Sequence, residues 1–139
     1  MKTILITLML ILTPFFTMDN STGAKNKNYQ CTKCKTVIQS DHTPSSYNCR
    51  AGGTHNWQDL GAVGNENYNC TKCGTVVQSE KTPVSYGCPE KGTHNWSHLG
   101  HIGNNTYQCK KCGITITGDR TPSSYNCMSG GTHQWNKLN

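Results

Sequence analysis

The chain has 139 residues, of which 33% are hydrophobic, with nine cysteines, a formal charge of +6 and a mean hydropathy of -0.65. This composition excludes a large single hydrophobic core, and a fixed internal period divides the chain into three small modules instead. Modules of ~40 residues seldom fold without a metal, disulfides or a partner, so something other than a core must hold each one together.

Residues 1–24 read as a signal peptide. Lys2 supplies a positive start, Ile4 to Phe16 is an almost uninterrupted apolar run, and Thr22-Gly23-Ala24 offers small residues for cleavage after Ala24. The run is shorter than the ~20 residues a spanning helix needs, and Pro14 interrupts it, so the expected product is secreted or envelope-exported, with no membrane span after cleavage.

From Lys25 a short polar lead, Lys25-Asn26-Lys27-Asn28, precedes the first unit, and the three units begin at Tyr29, Tyr68 and Tyr107. The corresponding divisions are 25–61, 62–100 and 101–139. Each unit carries the pattern C-x2-C-x14-C-x5-H, formed by Cys31, Cys34, Cys49 and His55, then Cys70, Cys73, Cys88 and His94, then Cys109, Cys112, Cys127 and His133. All nine cysteines are used. Three thiols and one imidazole make a complete tetrahedral set for Zn2+, one ion per unit.

Within a unit no stretch keeps a 3.6-residue apolar period, and β-branched residues follow the second cysteine, which predicts strands at Thr36–Gln39, Thr75–Gln78 and Ile114–Thr117. Asp41-His42-Thr43-Pro44, Glu80-Lys81-Thr82-Pro83 and Asp119-Arg120-Thr121-Pro122 predict turns with the acid as a cap. The expected fold is small, β-rich and metal-stabilised, with two short hairpins per unit. After Cys-x-x-Cys a left-handed residue is wanted; Gly74 and Gly113 supply it, whereas Lys35 in the first unit does so at a cost that predicts a weaker or differently turned site. Gly53, Gly92 and Gly131 recur in the loop before the histidine. Residues 61–67 and 100–106 predict short linkers, in which docking by Val63 and Ile102 would give a rod and its absence a loose string.

Disulfides are the competing reading for an exported chain, although three cysteines per unit leave one thiol over and the histidine unexplained. A catalytic metal would need an open coordination position, and four protein ligands leave none, so no enzyme is expected. His42, His98 and His101 do not recur in register and read as surface residues.

The aromatic residues repeat as strictly as the ligands. Tyr29, Tyr47 and Trp57, with their equivalents and with Leu60, Leu99 and Leu138, read as a miniature cover over the metal site; the sharper alternative is a stacking platform, with tryptophan foremost. Lys33, Lys72 and Lys111 lie inside the Cys-x-x-Cys segments and read as solvated tips or contacts to an anionic polymer. Cleavage removes Lys2 and Asp19 and leaves +6; nine thiolates on three Zn2+ bring this to about +3, which is modest.

The segments Cys31-Thr32-Lys33-Cys34, Cys70-Thr71-Lys72-Cys73-Gly74 and Cys109-Lys110-Lys111-Cys112-Gly113 resemble the zinc knuckles of zinc ribbons, over Tyr29 to Asn139. The second half departs from that pattern because Cys-x5-His replaces a second Cys-x-x-Cys. The resemblance implies a binding or scaffolding module rather than an activity. The expected function is multivalent binding of a surface glycan or an envelope or matrix protein, with nucleic-acid binding and extracellular metal sequestration as alternatives.

Overall fold

The structure, a computed structural model, describes residues 25–139, and the expected signal peptide lies outside the described residues. Among the described residues nine strands form three sheets. The first unit contains β1 (Lys27–Cys31), β2 (Val37–Ser40) and β3 (Trp57–Ala62), the second β4 (Glu66–Cys70), β5 (Val76–Ser79) and β6 (Trp96–His101), and the third β7 (Asn105–Cys109), β8 (Thr115–Gly118) and β9 (Trp135–Lys137). Each sheet is antiparallel with its first strand in the middle, in the orders β2-β1-β3, β5-β4-β6 and β8-β7-β9. The described residues include no helix long and apolar enough to cross a membrane.

The first expected hairpin forms in every unit, its second strand starting one residue later than predicted. The second hairpin does not. Between β2 and β3 the chain runs through turns, with only a Tyr86–Thr93 bridge among the described residues. Positive φ at Asn48, Gly87 and Asn126, just before the third cysteine, breaks the extended geometry that a pair of strands would need. A tight turn follows, in which Gly52 N–H donates to the Cys49 carbonyl at 2.8 Å. The chain returns as a third strand on the other edge of β1, an element with no alternating pattern to announce it.

Side chains of the central strand alternate between two buried faces. Tyr29 and Cys31 face their own unit's metal ligands or core, while Asn28 and Gln30 reach the next unit. Opposite this strand, β3 carries an irregularity: Asn28 pairs with Gly61 and Tyr29 with Asp59, so Leu60 is an extra residue. The same bulge puts Leu99 between His98 and Gly100 in β6. A bulge re-aims a side chain. Leu60 is fully buried against Tyr68 and Val77 of the second unit, and Leu99 against Cys109, Ile114, Ile116 and Cys127 of the third. These leucines therefore cover the following unit's interior, not their own as expected from sequence.

Hydrogen bonds also tie the joints together. Val84 N–H donates to the Leu60 carbonyl at 3.0 Å and Ser123 N–H to the Leu99 carbonyl at 2.9 Å. Asn28 Nδ2 donates to the Gln78 carbonyl and Asn67 Nδ2 to the Thr117 carbonyl, both at 2.8 Å, and Gln30 Nε2 donates to Thr75 Oγ1. The predicted linkers shrink to residues 63–65 and 102–104. Val63 and Ile102 belong to none of the hydrophobic clusters found among the described residues; their amides donate to the carbonyls of Asn26 and Asn65, both at 2.8 Å. Gly64 and Gly103 are needed for close approach, since a Cβ on either would sit 2.1 Å from the backbone nitrogen of Glu80 or Asp119.

Replacing Leu60 or Leu99 by alanine leaves a cavity between units and is expected to cost ~2–5 kcal/mol, whereas Leu138→Ala, at the equivalent exposed place, should cost no more than ~0.5 kcal/mol. Thermal unfolding of the metal-loaded variants checks this, and equal small effects at all three positions would mean a loose string.

Candidate metal centres

Each centre is assembled from three pieces of chain. The first cysteine ends the central strand, the second follows in the turn to the next strand, and the third cysteine and the histidine flank the loop before the third strand. The turn closes alike in all units: the amides of Lys35, Gly74 and Gly113 donate to the carbonyls of Cys31, Cys70 and Cys109 at 3.0, 2.9 and 2.9 Å. Lys35 adopts φ 65°, close to the 75° and 77° of the two glycines. The first turn is thus not differently shaped; only the ~1–2 kcal/mol cost of a left-handed side-chain residue remains.

The four predicted ligands converge in every unit, as Cys31, Cys34, Cys49 and His55, as Cys70, Cys73, Cys88 and His94, and as Cys109, Cys112, Cys127 and His133, with donor atoms mutually within 4.8 Å. The histidine nitrogen facing the cluster is Nδ1, which lies 3.5 Å from the sulfur of Cys34, Cys73 or Cys112. A tetrahedral ion with bonds of ~2.3 Å to sulfur and ~2.05 Å to nitrogen has S···N edges of ~3.6 Å and S···S edges of ~3.8 Å. The 3.5 Å contacts and the 4.0 Å between the Cys31 and Cys49 sulfurs fit that shape. They do not fit a disulfide, whose sulfurs lie ~2.05 Å apart, and all nine cysteines are unbridged. These three Cys3His sites could each hold a metal ion.

Electrostatics within the clusters suit a cation. Burial raises the Cys31 thiol, but the backbone amides of Cys34, Asn56 and Lys33 outweigh it and bring it down to about 7. In the third unit burial is again opposed, by the Cys112 amide and His133 among others, and Cys109 falls to about 6. In the second and third units the second cysteine goes the other way, burial and the neighbouring sulfurs pushing Cys73 up to about 11 and Cys112 to about 12; in the first, burial is outweighed by hydrogen bonds from Thr36 and Cys34 is lowered. In those two units one thiolate forms readily and discourages the next until a positive ion sits between them. Burial, with Lys72 nearby, lowers His94, which favours the neutral imidazole a metal requires.

Two groups orient the ligands, the tryptophans as part of the expected cover and the lysines in a role not expected from sequence. His55, His94 and His133 stack on Trp57, Trp96 and Trp135, with ring centroids 4.5, 4.6 and 4.7 Å apart and interplanar angles of 18°, 20° and 23°. Residues i and i+2 of extended chain share a face, so His-x-Trp places the rings together. Each indole N–H donates to a carbonyl, of Ser45, Val84 or Ser123, at 3.0, 3.1 and 3.0 Å. Nε2 of His94 and of His133 is buried without a hydrogen-bond partner, so the indole takes over the orienting task that a second hydrogen bond usually performs. The imidazole thus occupies one face of each indole, which is half-buried.

The lysines are clamps. Lys33 Nζ donates to the carbonyls of Gly52 and Thr54 at 2.8 and 2.9 Å, and Lys72 Nζ to those of Lys91 and Thr93 at 2.9 Å each. Lys111 repeats the arrangement with Gly130 and Thr132. The repeated Lys at this place, opposite a glycine-bearing loop, was the signal for it. His42, His98 and His101 are exposed and outside the clusters; His98 and His101 both contact Glu66, whose carboxyl they hold below its usual range. Glu80 pairs with Lys25 of the preceding unit instead of capping its own turn.

No family model, curated protein or solved structure matches this chain.

Removing metal with a chelator should collapse the sheet signal in circular dichroism, and restoring it should bring the signal back. Trp96→Ala should weaken metal binding at the second centre ~10–100-fold, as loss of an orienting partner does. A competitive chelator titration checks it, and an unchanged affinity would reduce the stack to a packing contact.

Proposed function

We propose that this chain is an exported, non-enzymatic protein in which three closed Zn2+ sites brace a rigid array that binds a surface glycan multivalently. Zinc is the ion favoured by three thiolates and one imidazole in a tetrahedron. Four protein ligands per ion complete its coordination, which suits a structural role, and folding that depends on the ion suits retention over exchange.

The observation that carries the glycan reading is the exposure of Tyr47, Tyr86 and Tyr125, at 75%, 69% and 70%, one in the same place on each unit. An aromatic ring has an apolar face that stacks on the CH face of a sugar ring and a hydroxyl that reaches its polar edge. Three such rings on units joined rigidly are pre-positioned, so that a polymer engaging one meets the others at high effective concentration. The lysine ammonium groups, turned onto the chain's own carbonyls, favour this over binding of a nucleic-acid backbone.

Native mass spectrometry with a free-thiol count, on protein kept from chelators, should find three zinc ions and nine thiols. Co-sedimentation with insoluble polysaccharides (chitin, cellulose, peptidoglycan) should show binding that the triple variant Tyr47→Ala, Tyr86→Ala, Tyr125→Ala lowers ~100-fold or more, with each single change far milder. Retention of all polysaccharide binding by the triple variant, or binding only to DNA with a steep salt dependence, would overturn the reading.

A further inference from the structure

Both joints in the array connect one face of a unit to a different face of the next. The offering face carries the bulged leucine and the odd-facing side chains of the central strand: Leu60, Asn28 and Gln30 in the first unit, Leu99, Asn67 and Asn69 in the second. All six are buried. The receiving face carries Thr75, Val77 and Pro83 in the second unit, and in the third Ile116 and Pro122, again all buried.

Among the described residues two such faces lie open, one at each end. On the third unit Leu138 is 53% exposed, and Gln108 is exposed where Gln30 and Asn69 are covered. On the first unit Ile38 is 38% exposed, where Val77 and Ile116 are buried. The open faces match each other in chemistry. At the first joint Gln30 bonds to Thr75. Gln108 stands at the place of Gln30, and Thr36 at the place of Thr75, so this pair is reproduced across the two ends. It is absent from the second joint, where Ile114 replaces the threonine and both polar atoms of the Asn69 side chain lack a partner. Leu138 and Ile38 likewise repeat the pairing of Leu99 with Ile116. Ser45 stands where the Val84 and Ser123 amides donate to the leucine carbonyls.

We infer that copies of this chain associate head to tail, the third unit of one docking on the first unit of the next through the joint already used twice within the chain. The partner is a second copy, because the complement of each open face is found at the other end of the same molecule. Such a contact is heterologous and leaves a free face of each kind on a pair of copies, so it adds further copies beyond the dimer. The inference does not depend on the glycan reading. Thr106 replaces the asparagine that bonds across each internal joint, and the internal joints also profit from an effective concentration of ~1 mM or more, so association between chains is weaker and concentration-dependent.

The test uses the full chain expressed in a secreting host and kept loaded with zinc, examined by sedimentation velocity from micromolar to near-millimolar concentration. Mass should rise steadily with concentration, without a plateau at the dimer. Leu138→Lys blocks the offering end and Ile38→Lys the receiving end; both sites are exposed, and a full metal count confirms folding. Each variant alone should stay monomeric, with association weakened at least tenfold, while an equimolar mixture, holding one intact end of each kind, should form dimers and stop there. Wild type that is monomeric throughout would overturn the inference. So would variants that associate as before, or a mixture that stays monomeric.

Discussion

Four side chains gathered at a point do the work that a hydrophobic core does in a larger domain. A unit of this size has almost no aliphatic residues beyond its second strand, and its three strands are held by where the ligands lie: at the end of the central strand, in the turn after it, and on both sides of the loop before the third strand. Without an ion at that point the thiols burden each other, since burial and neighbouring sulfur push the second cysteine up to about 11 or 12 in the later units. The centre is thus a favourable place for a cation and a poor one for anything else.

Around this point the chain uses polar groups where larger proteins use apolar ones. A lysine crosses from the Cys-x-x-Cys turn to two carbonyls of the opposite loop, an indole holds the imidazole by its face, and an asparagine spans each joint to a strand carbonyl. Each contact joins segments distant in sequence but adjacent at the centre. The aliphatic contribution comes from next door, through the bulged leucine. A unit is consequently an incomplete fold, with a cluster of ligands that could hold an ion and, in the second and third units, a leucine supplied by its predecessor.

The Cys3His clusters were legible because chemistry constrains such residues: a cysteine or histidine can be replaced by little else, and three registers exposed the pattern at once. The left-handed turn at Lys35 was legible from the glycines beneath it in the later units. The third strand was not. Trp57-Gln58-Asp59-Leu60-Gly61-Ala62 shows no alternation, because one face stacks on a ligand, the other meets solvent, and the bulge shifts the phase midway. For the same reason Leu60 was assigned to its own unit, and Asn28 was placed in a polar lead although it is buried between units. A side chain that bonds across a joint is indistinguishable in sequence from one that bonds to water.

The bulge sets what kind of change the chain tolerates over evolutionary time. Because the leucine leaves the sheet at one position and enters the next unit at another, a residue gained or lost within the third strand turns it toward the wrong face and opens two interiors at once. A whole repeat of 39 residues, by contrast, brings its own ion site together with one face of each kind, as the spacing from Cys31 to Cys70 to Cys109 shows. Genes for such a protein can lengthen or shorten by duplication and deletion of entire units, while small insertions and deletions are confined to the loop tips. Copy number becomes the variable that selection can reach most easily.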